Sequence, residues 1–398
     1  MPRKTFPPTS KARGPKPRRA PRTRTVRPPA VGRLSRSLVP ALLDWFAIAA
    51  RDLPWRRTLD PYAIWVSEIM LQQTQVKTVR SYWERWMKEL PDVAALSAAP
   101  EQRVLKLWEG LGYYTRVRNL QKAAQHINTN HAGQFPRDFE AILALPGVGR
   151  YTAGAIASIA FNQPAPIMDG NVIRVLTRIS AIGGDPREKA TNAVLWHLAT
   201  ALVERAANSQ LSTINSQLLL SGPCSALNQS LMELGATICT PQNVQCPRCP
   251  VRAHCAAHRA GRVDELPNLG PRAKTTSREF HTFVVERDGK FLVKQRPAGV
   301  VNAGLWEFPN LEVTSTGSPP AASLKRLLHL TARCEPLGEV KHTITRYRMT
   351  QQVFRVVPEA EPPPPVDQFQ WLAPAELDRR PFTSAHKRIL ARIPQPSN

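Results

Sequence analysis

The chain has 398 residues, with 54 Lys and Arg against 30 Asp and Glu, a formal net charge of +24 at pH 7 and 42% hydrophobic residues. A charged fraction of 21% on that background excludes a disordered polyelectrolyte. No apolar run approaches the ~20 residues of a membrane-spanning helix, and six cysteines are too few for a disulfide scaffold at this length. What remains is a protein of two or three domains whose surplus of positive charge nominates a polyanion as partner.

In chain order, residues 1–33 hold 11 Lys and Arg and eight prolines, and the first acid is Asp44. Residues 1–34 therefore read as a disordered basic tail. The segment lacks the apolar stretch of a secretory signal, and its prolines spoil the amphipathic helix of a mitochondrial transit peptide. Removing its 11 charges leaves +13 on the body, with +8 on residues 34–276 and +5 on residues 277–398. Charge spread over both halves fits a protein lying along a phosphate backbone.

Residues 35–262 are predicted to be all-α, with helical patterns such as Val104–Trp108, Phe139–Leu145 and Thr152–Phe161. The polar, repetitive stretch Asn208–Cys224 reads as an inserted loop. Pro267, Gly270 and Pro271 mark a linker over residues 263–276. Beyond it, residues 277–398 are predicted to be α+β, with strands at Phe280–Glu286, Phe291–Gln295 and Gln352–Val357 and a proline-rich loop at Pro358–Pro365.

Four features of the helical half carry chemistry. Glu68 lies in a helix predicted over Tyr62–Val79 and opened by Asp60-Pro61. Its apolar neighbours Val66, Ile69, Met70 and Leu71 desolvate the carboxyl and raise its pKa, as a general acid requires. The amide-rich run Gln72, Gln73, Thr74 and Gln75 follows and suits contact with base edges. The turn Leu145-Pro146-Gly147-Val148-Gly149-Arg150 precedes a helix whose free N–H groups can hold a phosphate. Asp169 sits at a helix N-cap, where backbone donors are expected to lower its pKa and keep it ionised. Finally, Cys239, Cys246, Cys249 and Cys255 are spaced C-x6-C-x2-C-x5-C, which fits one metal centre, zinc and iron–sulfur being equally compatible with the spacing. Arg248, Arg252, His254, His258 and Arg259 surround them and suit phosphate contacts. Two carboxylates in opposite environments match the acid-plus-stabiliser logic of glycoside cleavage.

Taken together, Trp65–Val76 (WVSEIMLQQTQV), Gly110–Tyr114 (GLGYY), Leu145–Tyr151, Met168–Asn171 (MDGN) and the four cysteines resemble, in the same order, the adenine-specific mismatch DNA glycosylases of the MutY family. The resemblance implies a helix-hairpin-helix fold with a 4Fe–4S cluster on Cys239, Cys246, Cys249 and Cys255. It also implies excision of adenine mispaired with 8-oxoguanine or guanine in double-stranded DNA. Glu68 would protonate the adenine, Asp169 would stabilise the sugar cation, and Tyr151 and Asn171 would support them. Tyr113 would wedge into the base stack, Gly147 and Gly149 would meet a phosphate, and Arg51 and Trp55 would line the pocket of the extruded base. Endonuclease III relatives carry a Schiff-base lysine where this chain has Tyr151, so a monofunctional enzyme is expected. A monomer without membrane association is expected, in the bacterial cytoplasm on the nucleoid or in a eukaryotic nucleus.

The segments Phe291–Arg296 and Gly304–Pro309 resemble a nudix domain. Ala321–Leu330 lacks the glutamates that would hold Mg²⁺, so lesion recognition rather than hydrolysis is expected. The reading loop would be His342–Arg346, with His342, Thr345 and Arg346 in contact with DNA. Family members more often show Phe-Ser-His in place of Ile344-Thr345-Arg346, so the aromatic stacking contact is replaced here by a hydroxyl and a guanidinium. Deleting residues 1–33 is expected to weaken DNA affinity and flatten its salt dependence while leaving excision at saturating enzyme intact. Loss of excision in that titration would refute the tail assignment.

Overall fold

The computed structural model describes residues 31–209, 222–270, 275–313, 317–344, 346–358 and 368–393. The first 30 residues of the basic tail, most of the insertion, part of the linker, Thr345 and most of the proline-rich loop lie outside the described residues. Helix α1 (Val31–Ala49) starts directly after the last prolines of the tail, so residues 31–34 belong to it. None of the described helices is long and apolar enough to cross a membrane.

Helix α2 (Pro61–Leu71) opens with proline at its first position and Asp60 as N-cap, whose carboxylate accepts the Tyr62 N–H at 3.0 Å. The expected single helix over Tyr62–Val79 is corrected. Helix α2 stops at Leu71, Gln73 adopts a left-handed φ of 58°, and α3 (Val76–Glu89) begins afresh. Residues Gln72–Gln75 offer the core no apolar side chain, and the Arg116 guanidinium takes the freed carbonyls of Ile69 (2.8 Å), Met70 (3.2 Å) and Gln72. Helices α4 (Val93–Ala98), α5 (Glu101–Trp108), α6 (Thr115–Asn130) and α7 (Phe139–Leu143) join α2 and α3 around a core built on Trp65, Trp86 and Trp108. Trp86 and Trp108 meet edge to face at 5.6 Å.

A second core gathers α1, α9 (Gly170–Ile179), α10 (Lys189–Ala207) and α11 (Pro223–Thr237) around Leu42, Phe46, Val175, Leu198 and Leu231. Helix α8 (Arg150–Phe161) lies between the two. It gives Ala153 and Ile156 to the first core and Ala155 and Ile159 to the second, which explains why it is apolar all round. The cysteine loop follows α11 and is closed by the short α12 (Ala256–Arg259).

The C-terminal domain is a mixed sheet of β1 (Thr276–Arg287), β2 (Lys290–Gln295), β3 (Trp306–Glu307), β4 (Asn310–Val313), β5 (Ala332–Ile344), β6 (Tyr347–Pro358) and β7 (Phe369–Leu372). The spatial order is β3-β2-β1-β6-β5, with β1 and β6 parallel and the other neighbours antiparallel. Alternation along β1 sends Phe283 and Val285 towards α13 (Pro320–Leu328) on one face. Val284 faces α14 (Pro374–Arg379) and α15 (Ser384–Leu390) on the other. The molecule is therefore multidomain, an all-α half followed by an α/β half with a central sheet.

Two glycines seat the segment Pro166–Asn171 between helices. A Cβ on Gly154 of α8 would lie 2.2 Å from the Pro166 carbonyl oxygen. One on Gly235 of α11 would lie 2.6 Å from the Asn171 Cβ. Gly154→Ala is expected to cost about 1–3 kcal/mol through overpacking, read as a lower midpoint in chemical denaturation. An unchanged midpoint would show that the segment is not held there.

Candidate active site

The three segments that bring carboxylates and phenol together come from both cores. Glu68 leaves α2 from a fully buried stretch, Tyr151 is the second residue of α8, and Asp169 caps α9. They open on a cleft of about 810 Å³, also lined by Arg51, Trp55, Gln72, Gln73, Thr74 and Asn171. Nine residues singled out from sequence thus converge on one cavity.

Glu68 is 5% exposed, and its Oε2 accepts the Tyr151 hydroxyl at 2.6 Å. Burial pushes its pKa up to about 7; the Tyr151 hydrogen bond pulls the other way and nearby Asp169 adds to the rise. Burial also drives the Tyr151 phenol well above its ordinary value, so it remains a donor. Asp169 holds the Val172 N–H with Oδ1 (2.7 Å) and the Asn171 amide with Oδ2 (2.9 Å). The expected lowering of its pKa is corrected: burial raises it, and these donors only moderate the rise. Asn171 is itself oriented by Arg174, whose Nη2 donates to its Oδ1 at 2.7 Å.

Sequence reasoning missed the floor of the cleft. Glu233, on α11, is buried and binds Arg51 Nε (2.6 Å), Arg51 Nη2 (2.9 Å) and Arg56 Nη2 (2.8 Å). Burial alone would raise its pKa, but Arg51 and Arg56 reverse the sign and hold it low. The signal was faint: Glu233 sits between Met232 and Leu234, and a buried acid there demands a basic partner, which Arg56 supplies directly after Trp55.

The remaining candidates lie elsewhere. Gly147 has a left-handed φ of 75° with Asn119 packed against it, and Gly149 is the N-cap of α8. Tyr113 is 45% exposed with a φ of 48°, held over the Arg116 guanidinium, which also takes the carbonyls of Leu111 and Gly112 at 3.1 Å each. His342 and Arg346 belong to the C-terminal sheet: the His342 ring is half-buried on β5, and Arg346 is exposed at the β5–β6 turn with its Nη2 on Tyr347 Oη at 3.1 Å. Thr345 lies outside the described residues.

Cys239, Cys246, Cys249 and Cys255 border one small cavity together with Arg178, Val175 and Val251. Burial pushes the Cys249 thiol up to about 11 and raises Cys246 and Cys255 as well, so thiolates there require a cationic centre. Arg178 donates to Cys239 Sγ at 3.4 Å. Among the described residues no three His, Cys, Asp or Glu side chains close on a single ion. Four cysteine thiols around one space are the donor set of an iron–sulfur cluster.

Comparison with known proteins gives the family. Residues 66–200 match the HhH-GPD superfamily of base excision DNA repair proteins, and residues 281–392 match the NUDIX domain. Over 408 aligned positions the chain is 38% identical to the adenine DNA glycosylase of Rattus norvegicus, covering 87% of this chain and 76% of the relative. Against the adenine DNA glycosylase of Schizosaccharomyces pombe it is 32% identical, with 85% of each covered. A thermostable thymine-DNA glycosylase structure aligns with 27% identity and a TM-score of 0.48, over 58% of this chain and 99% of that one. The chain is thus a helix-hairpin-helix base excision glycosylase with a nudix-like C-terminal domain. It belongs to the adenine DNA glycosylase family, enzymes that hydrolyse the N-glycosidic bond of adenine in DNA. Helix-hairpin-helix glycosylases of this kind typically carry an iron–sulfur cluster.

A raised carboxyl pKa means that the folded state binds more protons than the unfolded chain between about pH 4.5 and 7. Stability from this site is therefore present at low pH and lost as pH rises through 7. Glu68→Gln is expected to raise Tm by a few degrees at pH 8 and to leave it nearly unchanged at pH 5. Equal shifts at both pH values would contradict the raised pKa.

Proposed function

We propose that this enzyme excises adenine paired with 8-oxoguanine or guanine by general acid catalysis from Glu68. The observation that carries this reading is a fully buried carboxyl with a pKa near 7, beside a capped aspartate, in a cleft large enough for an extruded base. Near neutral pH about half of such a group is protonated, as an acid catalyst requires.

The adenine must leave the stack before its N-glycosidic bond can be reached. Tyr113, exposed and fixed in a left-handed conformation, fills the stack in its place, while Gly147 and Gly149 offer backbone N–H groups to a phosphate. Arg51, held by Glu233, and Trp55 line the cleft where the base enters. Gln72, Gln73 and Thr74 border its mouth. Glu68 delivers its proton to the adenine as the C–N bond breaks, leaving positive charge on the sugar. The Asp169 carboxylate faces that charge, oriented by Asn171 and the α9 N-terminus. Water then adds to the sugar and returns its proton to Glu68, giving free adenine and an abasic site. Tyr151 tunes Glu68 and, having no amine, forms no imine, so strand cleavage does not accompany base loss.

On this reading the C-terminal domain meets the opposing base through His342, Thr345 and Arg346. Cys239, Cys246, Cys249 and Cys255 hold a 4Fe–4S cluster, which ties the loop into one body and displays Arg248, Arg252 and Arg259 to the DNA. The enzyme works as a monomer where the chromosome is, on a bacterial nucleoid or in a nucleus.

Incubation with an 8-oxoguanine:adenine duplex is expected to release adenine, with strand scission only after hot alkali. Glu68→Gln is expected to slow single-turnover release by about 100-fold or more. Scission without alkali, or equal release by the variant, would overturn the reading.

A further inference from the structure

The seam between the two domains is built around one short loop. Glu109 is 4% exposed, a buried carboxylate immediately before Gly110–Tyr113. Its Oε1 accepts the Phe382 N–H at 2.7 Å, and its Oε2 accepts Lys387 Nζ at 2.5 Å and pairs with Lys106 Nζ at 3.1 Å. Phe382 and Lys387 belong to the C-terminal domain. On the other side of the loop, the buried Tyr114 hydroxyl accepts the Gly110 N–H at 3.3 Å and closes the loop on itself. The loop's own base is rigid: Tyr82 Oη donates to the Glu109 carbonyl at 2.8 Å, and a Cβ on Gly110 would lie 2.3 Å from that oxygen of Tyr82. Leu305, from the β2–β3 connection, is fully buried in the helical domain's first core.

We propose that Glu109 clamps the Gly110–Tyr113 loop to the C-terminal domain and is a positioning residue that sets Tyr113 according to the pose of that domain. A buried carboxylate with three donors from two domains has one favourable geometry. The four residues between Glu109 and Tyr114 include two glycines of positive φ, and the Tyr114 hydroxyl ties the far end of that short span back to its start, so the span follows Glu109. A shift of the C-terminal domain on its base is therefore transmitted to the tip of the loop. This inference rests on the reading that Tyr113 enters the duplex.

The test is a double-mutant cycle in the full-length enzyme between Lys387→Met and Tyr113→Ala, two residues in different domains. Lys387 is 53% exposed, so its variant retains the fold, which circular dichroism checks. Single-turnover excision from an 8-oxoguanine:adenine duplex is the readout. Lys387→Met alone is expected to slow excision about fivefold, and the double variant is expected to be no slower than Tyr113→Ala alone. Losses that multiply would overturn the clamp, including the case in which Lys387 simply grips a phosphate. Glu109→Gln keeps an acceptor for Phe382 but removes the charge, and is expected to match Lys387→Met; a wild-type rate for it would also overturn the clamp. A wild-type rate for Tyr113→Ala would instead sink the wedge reading, and the clamp with it.

Discussion

Everything in the catalytic half is arranged so that one carboxyl group can be kept out of water. An unpaired buried charge costs several kcal/mol, and Glu68 avoids most of that by holding a proton and by sharing a hydrogen bond with a phenol that burial keeps un-ionised. The dry environment comes from the meeting of two helical cores, with α2 and α8 contributing side chains to both. Neither core alone would enclose the site, and neither carries both carboxylates. The chemistry is a property of the junction.

On each side of that junction, guanidiniums bound mainly to backbone carbonyls tie the segments together. Arg174 spans the carbonyls of Gly235 and Cys239 (2.7 Å each) and the amide of Asn171, so the capped aspartate and the cysteine loop share one side chain. Arg178 takes the carbonyls of Thr240, Val263 and Leu266 beside the cysteine sulfur. Arg116 does the same between the end of α2 and the Gly110–Tyr114 loop. Planar donors with several N–H groups suit this task in a way that lysine does not.

The sequence was most readable where chemistry is local. Asp60-Pro61, the paired glycines near 147 and the cysteine spacing each announce their structure through propensity or ligand type. It was least readable where tertiary partners decide. The end of α2 depends on Arg116, 44 residues away from Gln72. The pKa of Asp169 depends on burial that no N-cap pattern reports. Strand β5 was not anticipated, because Pro336 and Gly338 interrupt its alternation. The structure absorbs both in a bulge on an edge strand, where the missing proline N–H is tolerated. Glu109 looks like an ordinary surface acid until its partner, 273 residues distant, comes into place.

The seat of Pro166–Asn171 is defined largely by atoms that are not there. The closest neighbours of the missing Cβ atoms at positions 154 and 235 include the Pro166 carbonyl and the Asn171 Cα and carbonyl oxygen, which are main-chain atoms. Such a seat grips the course of the chain and is indifferent to most of its letters. Two vacancies on separate helices thus keep the capped aspartate on one path, apart from the packing of Ile167 and Met168 into the second core.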